Sequence, residues 1–187
     1  MTKPSALSYR PVAIILHWLV ALFVISTVPA GIIMLEEGLA RSVQDRLFIF
    51  HKNIGVVIFL LVIARIVFRA FNPPPPLPSS IPVLQRHVAS ATHIGLYGLL
   101  LIMTISGYVY VIAGGFPIEG LDAIGVPHLV PEDEGLSKSA LSIHLAARFV
   151  LIALVFAHVG AALYHWLIRR DGVFERMAPM LRRSSQR

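Results

Sequence analysis

Apolar positions in this chain gather into four long runs separated by short polar stretches: roughly Val12 to Met34, Leu47 to Phe68, Ala89 to Ala113 and Ala140 to Ile168. Coiled as helix, each run is long enough to cross a hydrocarbon layer about 30 Å thick. The pattern predicts an all-α membrane protein, a four-transmembrane-helix bundle forming a single domain over residues 1–187, with helices at about 12–34, 47–68, 89–113 and 140–168. The first run follows Lys3 and Arg10 and ends near "TVPAG", which gives it the outline of a signal peptide. It exceeds a normal signal-peptide core and already contains His17 and Trp18, so it reads as a retained helix.

Composition agrees with this class: 56% of residues are hydrophobic and only 14% charged. The chain has no cysteine, which excludes disulfides, thiolate metal sites, thioether-linked haem and iron–sulfur clusters carried by this chain. A net charge of +6 would suit nucleic acid, but the basic residues stand at helix ends and in the tail, where membrane orientation explains them and no nucleic-acid partner is implied.

Eleven Lys and Arg residues fall on the side of the termini (Lys3, Arg10, Arg65, Arg69, Arg86 and six in the tail), against five on the other (Arg41, Arg46, Lys52, Lys138 and Arg148). Both termini are therefore expected to be cytoplasmic. The stretch "FNPPPPLPSSIP" at 71–82 cannot continue a helix and reads as a stiff polyproline-like connector. Only the third connection has room for structure of its own, and it is placed to cap the periplasmic end. No internal repeat is evident.

Within these apolar runs, ionisable side chains are costly and each needs a partner. His17 lies near the cytoplasmic end of the first helix and His51 near the periplasmic end of the second, while the fourth supplies one histidine at each level. From His144 to His158 is fourteen residues, a step that leaves them about 40° apart around the helix and about 21 Å apart along it. Two facing pairs follow, His17 with His158 and His51 with His144. Any one of them taken alone could be an ordinary histidine bonded to a neighbouring helix. Zinc wants three or four protein ligands, whereas haem iron needs two axial ones, so matched pairs without cysteine suit two non-covalent haem b groups. Gly55, Ala161 and Ala162 beside the ligands would give a macrocycle room, or equally let helices pack closely.

The segments "SYRPVAIILHW" (8–18), "HKNIG" (51–55), "ARIVFR" (64–69), the proline-rich connector and "THIGLYGLL" (92–100), with two histidines fourteen residues apart in the last helix, resemble the bacterial di-haem cytochrome b561 family over almost the whole chain. The resemblance implies a multi-pass protein of the bacterial cytoplasmic (inner) membrane. It also implies axial haem-iron ligation by His17 and His158 at one level and by His51 and His144 at the other. It further implies quinone-linked electron transfer, and in the branch this chain is most similar to, oxidation of periplasmic superoxide with ubiquinone as acceptor, a superoxide:ubiquinone oxidoreductase.

Lys52 and Arg148 are placed to steer superoxide or to pair with haem propionates. The acids Glu132, Asp133 and Glu134 oppose steering if their loop covers the same mouth. Arg65, fourteen residues after His51, could reach propionates of the inner haem or serve as a topology anchor with Arg69, and Arg10 carries the same two readings. His93, with Tyr97 one turn on, could donate to a quinone carbonyl or make a structural bond. His165 is the alternative ligand to His158. Two other functions compete: a haem-carrying membrane anchor of a larger dehydrogenase or hydrogenase, docking a periplasmic redox protein, and a metal-ion transporter using its histidines as a pathway.

Overall fold

The computed structural model describes residues 9–181. Lys3, Arg182, Arg183 and Arg187, which count toward the orientation, lie outside them. Four helices are long and apolar enough to span a bilayer: α1 (Pro11–Ile33), α2 (Arg41–Phe71), α3 (Val83–Ala113) and, after the short α4 (Glu119–Ala123), α5 (Glu134–Tyr164), which runs on through one π-helical turn, His165–Arg169. Among the described residues there is no strand. Helices α2, α3 and α5 each begin earlier than their apolar runs, because a helix does not stop where lipid stops. The polar turns at Arg41–Arg46, Arg86–His87 and Glu134–Lys138 lengthen the rods.

Local chemistry sets the boundaries. Pro11 opens α1, where its missing N–H costs nothing. Asp133 caps α5, its carboxylate accepting the Leu136 N–H at 2.6 Å, and Glu134 pairs with Lys138 at 2.6 Å one turn on. Two acids of the "PEDEG" run are therefore engaged in starting a helix.

Outward faces are apolar: Leu22, Ile25, Leu60, Ile94, Phe149 and Phe156 are all more than half exposed. In water that would be a sticky surface; in a bilayer it meets lipid tails. Inside, Val20 and Val24 of α1 pack on Ile58 and Val62 of α2, with Tyr97, Leu100 and Leu101 of α3 against them. The helices pair as α1 on α2 and α3 on α5, joined along α2 and α3. Among the described residues α5 makes no extended backbone contact with α1 or α2, so it faces them through side chains.

The start of α1 and the segment after α5 meet at one end of the bundle, which we call the terminal end; the other is the loop end. At the terminal end, the connector of residues 72–82 forms no helix or strand, and the carbonyls of Pro76, Ser80 and Ile81 have no backbone partner among the described residues. Arginines supply them: Arg176 donates to Pro76 at 2.7 Å, Arg86 to Ile81 at 2.8 Å and Arg169 to Ser80 at 3.3 Å. The tail is tied to α1 as well, through Trp18 Nε1 donating to the Met177 carbonyl at 2.7 Å.

Candidate functional site

The histidines face one another between α5 and the α1–α2 pair. His17 of α1 and His158 of α5 face each other with ring centroids 6.2 Å apart and planes at 73°. At the loop end His51 of α2 and His144 of α5 repeat the relationship, also at 6.2 Å and with planes at 78°. An imidazole nitrogen sits about 2 Å from a metal and roughly 1 Å from its own ring centre, so two imidazoles on opposite faces of one iron have centroids about 6 Å apart. Each pair has the spacing to fill two axial positions of a haem iron. Among the described residues no group of three or more His, Cys, Asp or Glu side chains converges in the manner of a metal cage.

The loop-end pair is held by two matching cradles. His51 Nδ1 lies 3.0 Å from the Thr27 carbonyl oxygen and 3.3 Å from its hydroxyl. His144 Nδ1 lies 2.9 Å from the Met103 carbonyl oxygen and 3.2 Å from the Ser106 hydroxyl. A carbonyl oxygen can only accept, so in both rings Nδ1 carries the hydrogen and Nε2 keeps a free lone pair, the tautomer a metal ligand requires. One turn past each carbonyl is a glycine that makes room for the ring. A Cβ on Gly31 would meet His51 Cε1 at 2.6 Å, and one on Gly107 would meet His144 Cε1 at 3.2 Å. The sequence reading missed both cradles, although "TVPAG" and "MTISG" share a glycine four residues after the acceptor. Gly55, singled out from the sequence, borders open space.

The terminal-end pair has different company. His93 of α3 stands 5.5 Å from His158, and Trp18 5.4 Å from His17, both edge to face. Arg65 donates from Nε to the Tyr97 hydroxyl at 2.6 Å, while its buried Nη1 has no partner. His165 is elsewhere, its Nδ1 2.7 Å from an Asp171 carboxylate oxygen in the tail. Helix α5 thus turns His158, not His165, toward His17. Arg10 is exposed at the residue before α1.

At the loop end, the third connection folds onto α2. Lys52 reaches the Pro117 carbonyl and Glu119 Oε1, both at 2.7 Å, and Asn53 donates to Glu119 Oε2 at 2.9 Å while accepting the Gly120 N–H at 2.8 Å. Partial burial pushes the Glu119 carboxyl up, but the hydrogen bonds from Lys52, its own backbone N–H and Asn53, with the Lys52 charge, outweigh burial and hold it below the usual carboxylate range. Lys52 is thus already neutralised within the protein. Arg148, one turn beyond His144, has its guanidinium 4.7 Å from the Phe149 ring centre.

A lipid-facing bundle with two facing imidazole pairs has the architecture of a multi-pass, haem-bearing electron-transfer protein. The chain belongs to the prokaryotic cytochrome b561 family, whose profile matches residues 8–180. Family membership brings b-type haem, transmembrane electron transfer and the bacterial inner membrane. Among curated proteins the chain is similar to "Cytochrome b561 homolog 2" of Escherichia coli (strain K12), 30% identical over 170 residues, 90% of each chain. It is also similar to "Cytochrome b561 homolog 1" of the same organism, 28% identical over 168 residues, 89% of this chain and 94% of the relative.

Proposed function

We propose that this chain is a di-haem transmembrane electron carrier linking a periplasmic donor, superoxide in the reading we favour, to ubiquinone in the membrane. The observation that carries it is the recurrence of one spacing, 6.2 Å between facing imidazoles, at two levels of one bundle. His17 and His158 would hold one haem b, and His51 and His144 the other. Haem b held by two histidines at each level would supply outer-sphere, one-electron exchange.

The chain's own residues do the rest. The cradles at Thr27 and Met103 present Nε2 of His51 and His144, and the lipid-facing walls keep water away. The partnerless Nη1 of Arg65 suits a propionate at the terminal end. His93, beside His158 and one turn from Tyr97, suits a quinone carbonyl there. With both termini cytoplasmic, as the excess of basic residues on that side favours, the loop end faces the periplasm and Arg148 offers positive charge near His144 for an anionic donor.

Haem content tests this directly. The purified protein should give two b haems per chain by pyridine haemochrome assay and low-spin spectra; one haem or none overturns the reading.

A further inference from the structure

The two histidine levels differ in what stands behind the rings. At the loop end both imidazoles donate Nδ1–H to a main-chain carbonyl, at 3.0 Å for His51 and 2.9 Å for His144, and each Nδ1 also lies within hydrogen-bond distance of a buried hydroxyl. The Ser106 hydroxyl can donate its own hydrogen to the Met103 carbonyl, 3.2 Å away. Its oxygen is then left to accept from His144. At the terminal end, among the described residues, neither His17 nor His158 makes a hydrogen bond to a carbonyl, hydroxyl or carboxylate. Charge differs in degree as well: the Arg65 guanidinium acts on both His17 and His158, whereas at the loop end Arg148 acts on His144 and, among the described residues, no cation acts on His51.

Pulling the Nδ1 hydrogen toward an acceptor pushes electron density onto Nε2 and makes the ring a more basic ligand, which favours ferric over ferrous iron. A nearby positive charge favours the ferrous state. Both effects act in the same sense across the bundle. We propose that Thr27 and Ser106, with the Thr27 and Met103 carbonyls, are positioning groups that hold the iron at the His51–His144 level at a lower midpoint potential than the iron at the His17–His158 level. With haem bound at both levels, transfer of one electron from the loop end to the terminal end would be downhill. The pairing of cradle and glycine in two different helices makes this a property of the level, not of one ligand.

The inference rests on the di-haem reading, and the two fail differently: without two haems per chain there is nothing to compare. Redox titration of the wild-type protein, followed optically, should resolve two components. The one lost in His51→Ala or His144→Ala should be the lower. Thr27→Val and Ser106→Ala keep the carbonyls and close to the original shape, so both haems should stay bound. In each variant the lower component should move to higher potential while the other stays in place, and Thr27→Ser and Ser106→Thr should restore it. The proposal is overturned if the loop-end component is the higher one, if neither variant shifts it, or if both components shift together. Should a variant lose haem, the wild-type assignment by histidine replacement still decides the order.

Discussion

Gly31 of α1 touches the imidazole of His51 on α2 so closely that a Cβ at that position would lie 2.6 Å from the ring carbon Cε1. Gly107 of α3 stands in the same relation to His144, with more slack at 3.2 Å. Real side-chain carbons do not approach to 2.6 Å, so Gly31→Ala must displace the ring or the helix. Gly107→Ala asks for only a few tenths of an ångström. Overpacking of this kind typically costs about 1–3 kcal/mol, and Gly31→Ala should fall toward the upper end. Thermal denaturation followed by loss of haem absorbance should show Gly31→Ala clearly less stable than Gly107→Ala. Equal stability would mean that the ring has freedom to move aside.

Replacing ligands should sort the haems by level. His17→Ala and His158→Ala are expected to remove the same spectral component, because each leaves one iron short of an axial ligand, and His51→Ala and His144→Ala the other. His165→Ala should keep both, since that ring bonds to Asp171, and should cost only tail stability. Loss of a haem in the His165 variant with retention in His158→Ala would reverse the choice made on α5.

How much of this could be read from residues alone differs between the two layers of the site. The facing pairs were legible because helix geometry turns the sequence separation of His144 and His158 into depth and direction, and the apolar runs fix which helix passes which level. Their supports were not. A carbonyl acceptor such as Met103 has no signature in side-chain chemistry, and Gly31 sits in a stretch whose signal-peptide outline drew the reading to its length instead of its glycine. The helix ends were misplaced by a turn or two because hydropathy reports where lipid ends and says little about where hydrogen bonding does. Lys52 illustrates a third case. Its place beside His51 was plain, but its partner Glu119 lies far along the chain, and only the docking of the third connection brings them together.

That docking should depend on pH. Glu119 has its carboxyl held below the ordinary range when folded, so the contribution of its pair with Lys52 is present above the carboxylate's unfolded value and is lost as pH falls through the lower folded one. The Glu119 side chain is 37% exposed, so solvent screening keeps the effect on global stability small. Hydrogen exchange at the backbone of residues 117–123 is the sensitive probe. Protection there should drop on acidification below the carboxylate range, and Glu119→Gln should show the lowered protection already at neutral pH. Unchanged exchange in that variant would assign the docking to Asn53 and the apolar contacts of Ile118 instead.

If superoxide is the donor, the rate of haem reduction should follow the positive charge that is free to act at the loop end, and it should fall with ionic strength. Lys52 and Arg148 do not contribute equally. The charge of Lys52 is balanced by Glu119 at 2.7 Å, whereas Arg148 has an aromatic face as its neighbour and keeps its field. Arg148→Gln should therefore slow reduction by superoxide several-fold, Lys52→Gln should do little, and Glu119→Gln should speed it by releasing the lysine's charge. Reduction by quinol, entering at the other end, should stay nearly constant in all three. The comparison holds only for variants that retain both haems, since loss of a propionate partner would imitate loss of steering. Stopped-flow reduction at two salt concentrations would separate the cases: a superoxide rate no greater than that of an unrelated b cytochrome removes superoxide as the donor and leaves a quinol-linked carrier. A slowing in Lys52→Gln equal to that in Arg148→Gln would show that the Lys52–Glu119 pair opens when the donor arrives.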